Sequence, residues 1–255
     1  MDKGIITATE IESMFTKIQD EKQRDHLMRF FKTGEGEYGE GDMFLGIKVP
    51  QTRAIVKELK LQVEFDEIEK LLCSPWHEVR LCALLLLVEE MKSNLPRKND
   101  DEVNLVSKAA KREKIARFYL RHARRANNWD LVDLSCQYVL GPYIRLAQLP
   151  DYNILLQLAQ SDNLWEQRIA IVTTLDFIRN GIYNPTLALC DKFKTHPHDL
   201  IHKAIGWTLR EIGKKDLDTL TLYLEKNYMQ LPRTSLRYAI ERMSAEERTS
   251  WLKRE

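Results

Sequence analysis

The chain has 255 residues, 44% hydrophobic and 30% charged, enough apolar material for a large core and enough charge to keep it in water. A formal net charge of +1 neither excludes nor demands a polyanionic partner, because what such a partner responds to is where the cations cluster. The longest apolar run, CALLLLV at 82–88, is too short to span a bilayer, and MDKGIITATE carries no apolar signal region, so a cytoplasmic protein with no membrane partner is expected.

In chain order, helix starts are expected where a capping residue precedes an apolar periodicity: Thr9 with Glu12, Ser74 before Pro75, Asn184 before Pro185, and Ser244 with Glu247. Leu140-Gly141-Pro142 and Asn180-Gly181 read as stops. The eight prolines, at 50, 75, 96, 142, 150, 185, 197 and 232, fall between helical segments, and strand signals are almost absent. About a dozen helices joined by short loops make the expected class all-α. Cys73, Cys82, Cys136 and Cys190 are widely spaced, with no CxxC pair and no histidine at zinc-ligand spacing, and are expected to be reduced core thiols.

TGEGEYGEGDMFLG, residues 33–46, holds half of the chain's ten glycines. Its glycines precede no lysine-serine pair, and Glu35, Glu37, Glu40 and Asp42 would repel phosphate, so a surface loop packing Tyr38 and Phe44 is expected rather than a nucleotide cradle. Further on, KREKIARFYLRHARR at 111–125 has seven lysines and arginines against Glu113 alone. Lys114, Arg117, Arg121, Arg124 and Arg125 follow helical spacing, and the stripe leads toward the segment NNWDLVDLS at 127–135.

That segment can be capped by Asn127 or Asn128, yet Trp129 and Asp133 share a face opposite a Leu131/Leu134/Tyr138 stripe. Related starts follow at DNLW (162–165) and HDLI (198–201), about 35 residues apart, each first helix followed by a shorter apolar one. This is the pattern of a curved α-solenoid of helical pairs, in which equivalent positions line one concave groove. Asp133, Arg168 and Lys203 are then equivalent. In the third helix Ile201, Ala204, Ile205, Thr208, Leu209 and Ile212 form the core stripe, and Lys203, Trp207, Arg210 and Lys214 gather opposite. Either tryptophan could instead pack on a neighbouring helix, and Asp133 could pair with Arg168, which needs an anionic partner in so apolar a helix. The cationic clusters favour phosphate.

NNWDLVDLS, SDNLWEQRIAI, HKAIGWTLREIGKK and, near the N-terminus, FLGIKVP resemble the AlkD-like DNA alkylation repair glycosylases, bacterial proteins of HEAT-like repeats, over nearly the whole chain. The resemblance implies a single HEAT-like repeat domain over 1–255, with N-terminal helices and the glycine-rich loop in 1–60 and stacked repeats in 61–255. It implies excision of cationic 3-methyladenine and 7-methylguanine from duplex DNA by a monomer, with no cofactor, no metal and no obligate protein partner. The family's catalytic aspartate matches Asp133, its groove arginine Arg168, and its groove tryptophans Trp129 and Trp207, both of which are expected to pack their electron-rich faces against the sugar as part of the catalytic set. Arg168 and Lys203, with Arg210, Lys214 and the stripe containing Arg117, Arg121, Arg124 and Arg125, are expected to grip phosphates. Where active members can show a tyrosine facing the lesion, this chain offers Phe30 or Phe31, and its 33–46 insertion also departs from the shortest members. The resemblance further implies that the base is not drawn into a deep pocket. The competing expectations are a non-enzymatic DNA-structure binder on the same solenoid and a protein-interaction scaffold.

Overall fold

The computed structural model describes residues 6–147 and 152–254, so Pro150 lies outside the described residues. Every named element is a helix, and the fold is all-α. The chain forms two compact units, Met1–Val139 and Leu140–Glu255. Among the described residues, none of the helices is long and apolar enough to cross a membrane.

In the first unit α1 is Ala8–Thr16, α2 Glu21–Phe30, α3 Val49–Leu59, α4 Phe65–Leu72, α5 His77–Ser93, α6 Glu102–Arg121 and α7 Trp129–Asp133, with a single 3-10 turn at Ala123–Arg125. The centre is α5, on which α1, α3, α4, α6 and α7 all pack. Its sequence HEVRLCALLLLVEEMKS is apolar on nearly every side, and even its first-turn His77, Glu78 and Arg80 are buried. A helix apolar all round has to be enclosed by others. Helix α8, Cys136–Leu146, carries the chain across the division between the units.

The second unit contains α9 Asn153–Gln160, α10 Leu164–Thr173, α11 Leu175–Arg179, α12 Asn184–Phe193, α13 Asp199–Lys215, α14 Leu217–Asn227, α15 Arg233–Ala239 and α16 Ala245–Lys253. Here α13 is central, packed against α10, α11, α12, α14 and α15. Its expected core stripe, Ile201, Ala204, Ile205, Thr208, Leu209 and Ile212, is buried throughout.

The 35-residue spacing corresponds to real helix starts. Asn128, Asn163 and His198 are the caps, so Asp133, Arg168 and Lys203 are each the fifth residue of α7, α10 and α13. The first of these helices is shorter than its successor, contrary to expectation: α7 ends at Asp133 because the Ser135 hydroxyl turns back onto the Leu131 carbonyl. Leu131, Leu134 and Tyr138 therefore do not form one stripe, and Tyr138 is exposed. Thr174 similarly divides α10 from α11, its hydroxyl donating to the Ile171 carbonyl at 2.6 Å. Such breaks explain why the described helices exceed a dozen.

Other boundaries shift locally. The N-terminal capping box is Thr7 with Glu10, not Thr9 with Glu12, and α5 starts at His77, two residues beyond Pro75. Ser244 with Glu247 caps α16 as expected, α11 stops before Asn180-Gly181, and Pro185 occupies the first turn of α12. The expected stop at Leu140-Gly141-Pro142 is absent, since α8 runs through all three. Gly141 is required there by packing: a Cβ would lie 2.4 Å from the Asp176 Cβ. Three cysteines are buried as expected, but Cys73 is exposed; all four are free thiols.

Candidate functional site

A helix of only five residues brings Trp129 and Asp133 together. Buried Asn128 caps it by accepting a bond from the Trp129 N–H at 2.9 Å, and the Asp133 carbonyl accepts one from Gln137 Nε2 at 2.7 Å. Both Trp129 and Asp133 are half-buried. They form one wall of a cleft of about 410 Å3 inside the first unit. The other walls are Leu27, Phe30 and Phe31 at the end of α2, Phe44, Ile47 and Lys48 after the glycine-rich turns, Val49 and Pro50 of α3, and His77, Glu78 and Leu81 of α5, with Asp130 and Leu134 beside them in and after α7.

Trp129 packs on α2 rather than on its own helix. Phe31 stacks on it with centroids 5.3 Å apart, and Phe30 meets it edge-on at 5.9 Å and 72°. The stack continues from Phe31 to Phe44 at 5.1 Å and from Phe44 to His77 at 4.3 Å. Such pairs contribute roughly 0.5–1.5 kcal/mol each beyond their buried area.

Beneath the cleft lies a buried ionic cluster that the sequence reading missed. His77 Nδ1 is 2.7 Å from Asp42 and Nε2 is 2.9 Å from Asp130, while Arg80 pairs with Asp42 and donates to Asn127 Oδ1 at 3.1 Å. A neutral imidazole could donate to only one carboxylate, and the charged form serves both. Burial pulls the His77 pKa down, but the attraction of Asp130 and Asp42 outweighs it and raises the value to about 9. Burial opposes ionisation of Asp42 too, and His77 with Arg80 overcomes it, holding this carboxyl below its usual range. One residue along α5, the buried Glu78 carboxylate accepts the backbone N–H groups of Leu45, Gly46 and Ile47 at 2.9 to 3.1 Å.

The glycine-rich segment is thus part of the site. Phe44 is buried and Tyr38 half-buried, as expected for packing residues. Asp42, one of the four acids of the expected surface loop, is buried and paired. The available signal was an acid at the end of a loop together with a histidine, a glutamate and an arginine in the first turn of an otherwise apolar helix, and it was local to neither segment.

The expected phosphate contacts are less open than the sequence suggests. Helix α6 ends at Arg121, so the basic stripe divides: Arg117 pairs with Glu113 at 2.7 Å, and Arg117 and Arg121 line a depression with Asp66 and Glu69. Exposed Arg124 and Arg125 line a separate one with Arg80, Ser74 and Gly41. Among the described residues, none of these four arginines lines the Trp129–Asp133 cleft, so the stripe does not lead into it.

In the second unit Arg168 is buried in α10 and donates one bond to the Leu200 carbonyl, so at least that bond goes to backbone rather than to an anion. On α13, Lys203 pairs with Asp199 at 2.8 Å, Lys214 with Glu211 at 2.7 Å, and Arg210 with Glu241 and, at 3.6 Å, Glu211. Trp207 is half-buried on the same helix. Each of these three cations has a carboxylate beside it; the more exposed pairs, those of Lys203 and Lys214, contribute only about 0–1 kcal/mol each, while Arg210 is more buried.

A family model described as DNA alkylation repair enzyme matches residues 11–243. No curated protein matches the chain in sequence. A solved structure described as a predicted DNA alkylation repair enzyme from Enterococcus faecalis is similar in fold, with a TM-score of 0.63 and 17% identity over 89% of this chain and 97% of that one.

Proposed function

Because this chain belongs to the DNA alkylation repair enzyme family, we propose that it is a DNA glycosylase hydrolysing the N-glycosidic bond of cationic alkylated purines, 3-methyladenine and 7-methylguanine, in duplex DNA. The observation that carries this reading is the joint placement of Trp129 and Asp133 on the wall of an apolar, aromatic cleft. Of the three carboxylates lining it, Glu78 and Asp130 are buried. Asp133 is half-buried at the cleft wall.

Most glycosidases use two carboxylates, one of which protonates the departing group. A purine already made cationic by alkylation leaves with the bonding electron pair as a neutral base, so no general acid is required. The deoxyribose then carries the positive charge. Asp133 opposes that charge and orients the water that adds to the sugar and gives up a proton, while Trp129 offers an electron-rich face to the developing cation. Lys203, Arg210 and Lys214 on α13, together with Arg168, are assigned to holding the DNA backbone, as are Arg117, Arg121, Arg124 and Arg125 in the first unit.

The test is release of 7-methylguanine from methylated duplex DNA. Wild type releases the base, and Asp133→Asn loses about 100- to 1000-fold in rate while still binding DNA. Absence of release by wild type, with DNA binding intact, would sink the enzyme in favour of a DNA-structure binder; equal release by both proteins would remove Asp133 from the chemistry.

A further inference from the structure

Helix α7 has five residues, whereas an isolated helix needs about 12–15 to hold its shape, so the placing of Trp129 and Asp133 must come from outside it. At its N-terminal end the partners belong to α5. Arg80 donates to Asn127 Oδ1 at 3.1 Å, and His77 Nε2 lies 2.9 Å from Asp130 Oδ2, while Asp130 Oδ1 accepts the Leu131 N–H at 2.9 Å. His77 and Arg80 are themselves fixed. Asp42 pairs with both, and Arg80 also donates to the Ser74 and Pro75 carbonyls at 3.0 and 2.8 Å. At the C-terminal end the Ser135 hydroxyl, which closes α7 on the Leu131 carbonyl, lies 2.9 Å from the Tyr119 hydroxyl of α6.

Asp130 is the point at which this chain of bonds enters the helix. It follows Trp129 directly and precedes Asp133 by three residues, so any movement of its carboxylate is passed to both through less than one turn of backbone. With its pKa raised to about 9, His77 is charged near neutrality, and its bonds to Asp130 and Asp42 are charge-assisted and stronger than ordinary ones. Asp42, His77, Arg80 and Asp130 are all buried, so water does not compete for these bonds.

We propose that His77 is a positioning residue for the site: held by Asp42, it anchors Asp130 and through it sets where Trp129 and Asp133 stand on the cleft wall. The effect on reaction rate rests on the glycosylase reading; the anchoring of α7 does not. A displacement of about 1 Å at a group facing a reacting centre can cost on the order of 100-fold in rate, so a loosened α7 matters even when the protein stays folded. Asp42 thereby acts on the site although it is not among the residues lining the cleft.

The experiment reads rate and anchoring separately in wild type, Asp130→Asn, His77→Gln and Ile68→Val. Ile68 is buried in α4 and absent from the cleft lining, so its truncation supplies a variant destabilised only in the core. With protein in saturating excess over methylated duplex, the rate constant of 7-methylguanine release reports the folded molecules whatever fraction is folded. Asp130→Asn and His77→Gln are expected to slow it about 10- to 100-fold with duplex affinity within about twofold of wild type, and Ile68→Val to leave it unchanged. Anchoring is followed by fluorine NMR of the whole chain labelled with fluorotryptophan. Of the five tryptophan resonances, that of Trp129, identified by its loss in Trp129→Phe, is expected to be single and sharp in wild type and Ile68→Val but broadened or doubled in the other two variants. A single, sharp Trp129 resonance in both of those variants, or a broadened one with an unchanged rate, overturns the positioning role. If Asp130→Asn does not fold, His77→Gln, which leaves an amide in place of the imidazole, carries both readouts. Should wild type release no base while the Trp129 resonance responds as expected, the glycosylase reading falls and His77 still positions the pair.

Discussion

His77 joins two parts of the site that are far apart in the chain, reaching Asp42 across 35 residues and Asp130 across 53. Removing a single member would leave a buried charge uncompensated, which is how such clusters fix a unique arrangement even when their net stabilisation is small. The raised His77 pKa makes stability depend on pH in a defined direction. Its stabilisation is complete below the ordinary histidine value near 6.5 and is lost as pH rises through about 9. Asp42, held low, contributes above its ordinary range and loses that contribution as pH falls. Urea midpoints measured from pH 6 to 10 are therefore expected to fall with rising pH in wild type, and His77→Gln should be less stable near neutrality with a flatter alkaline limb. Parallel curves for the two proteins would refute a charged His77. At this scale Trp129 and Asp133 were legible in the sequence as a pair, because four-residue spacing alone puts them on one helical face. Their environment was not, since Phe30, Phe31, Phe44 and His77 come from three other segments.

Among the elements, the loop at 33–46 carries the largest difference between composition and structure. Acidic, glycine-rich sequence looks solvated, yet the end of this loop is bonded to Glu78 and packed against the start of α2. Gly46 has φ +85°, and a Cβ there would lie 2.0 Å from the Asp20 carbonyl oxygen, whereas Gly41 has φ +77° and open space. Gly46→Ala is expected to cost about 3 kcal/mol or more, measured by urea denaturation, and Gly41→Ala only about 1 kcal/mol from its backbone conformation alone. Equal effects would mean that close packing at Gly46 is dispensable. Helix α13 presents the opposite case, because its two faces were read correctly from periodicity, but the carboxylates beside its cations were not. Lys203→Ala with Arg210→Ala is expected to weaken duplex binding evenly across sequences and to lower the slope of log affinity against log salt by about one for each phosphate that is no longer neutralised. An unchanged slope in anisotropy titrations would detach this face from DNA.

Across the whole molecule, a net charge of +1 with Lys and Arg nearly balanced by Asp and Glu means that DNA binding cannot come from bulk attraction. On the proposed reading it comes from locally clustered cations, some of which exchange a carboxylate for a phosphate, so binding is expected to be more salt-sensitive than the overall charge suggests. Each unit is organised on one enclosed helix, α5 in the first and α13 in the second. The sequence by itself determined the all-α class, the three helix starts about 35 residues apart, the core stripe of α13 and the shared helical face of Trp129 and Asp133. All of these follow from interactions within a few residues, which periodicity and capping record. Only the tertiary structure decided that Asp42 pairs with His77 and Arg80, that Phe30 and Phe31 meet Trp129 at an apolar cleft, and that Arg210 of α13 meets Glu241, whereas the Lys203–Asp199 and Lys214–Glu211 pairs lie one turn apart on α13 and were within reach of its spacing. Most of these contacts join distant segments, and their strength depends on burial and on which partner arrives, neither of which the local pattern of a single chain encodes.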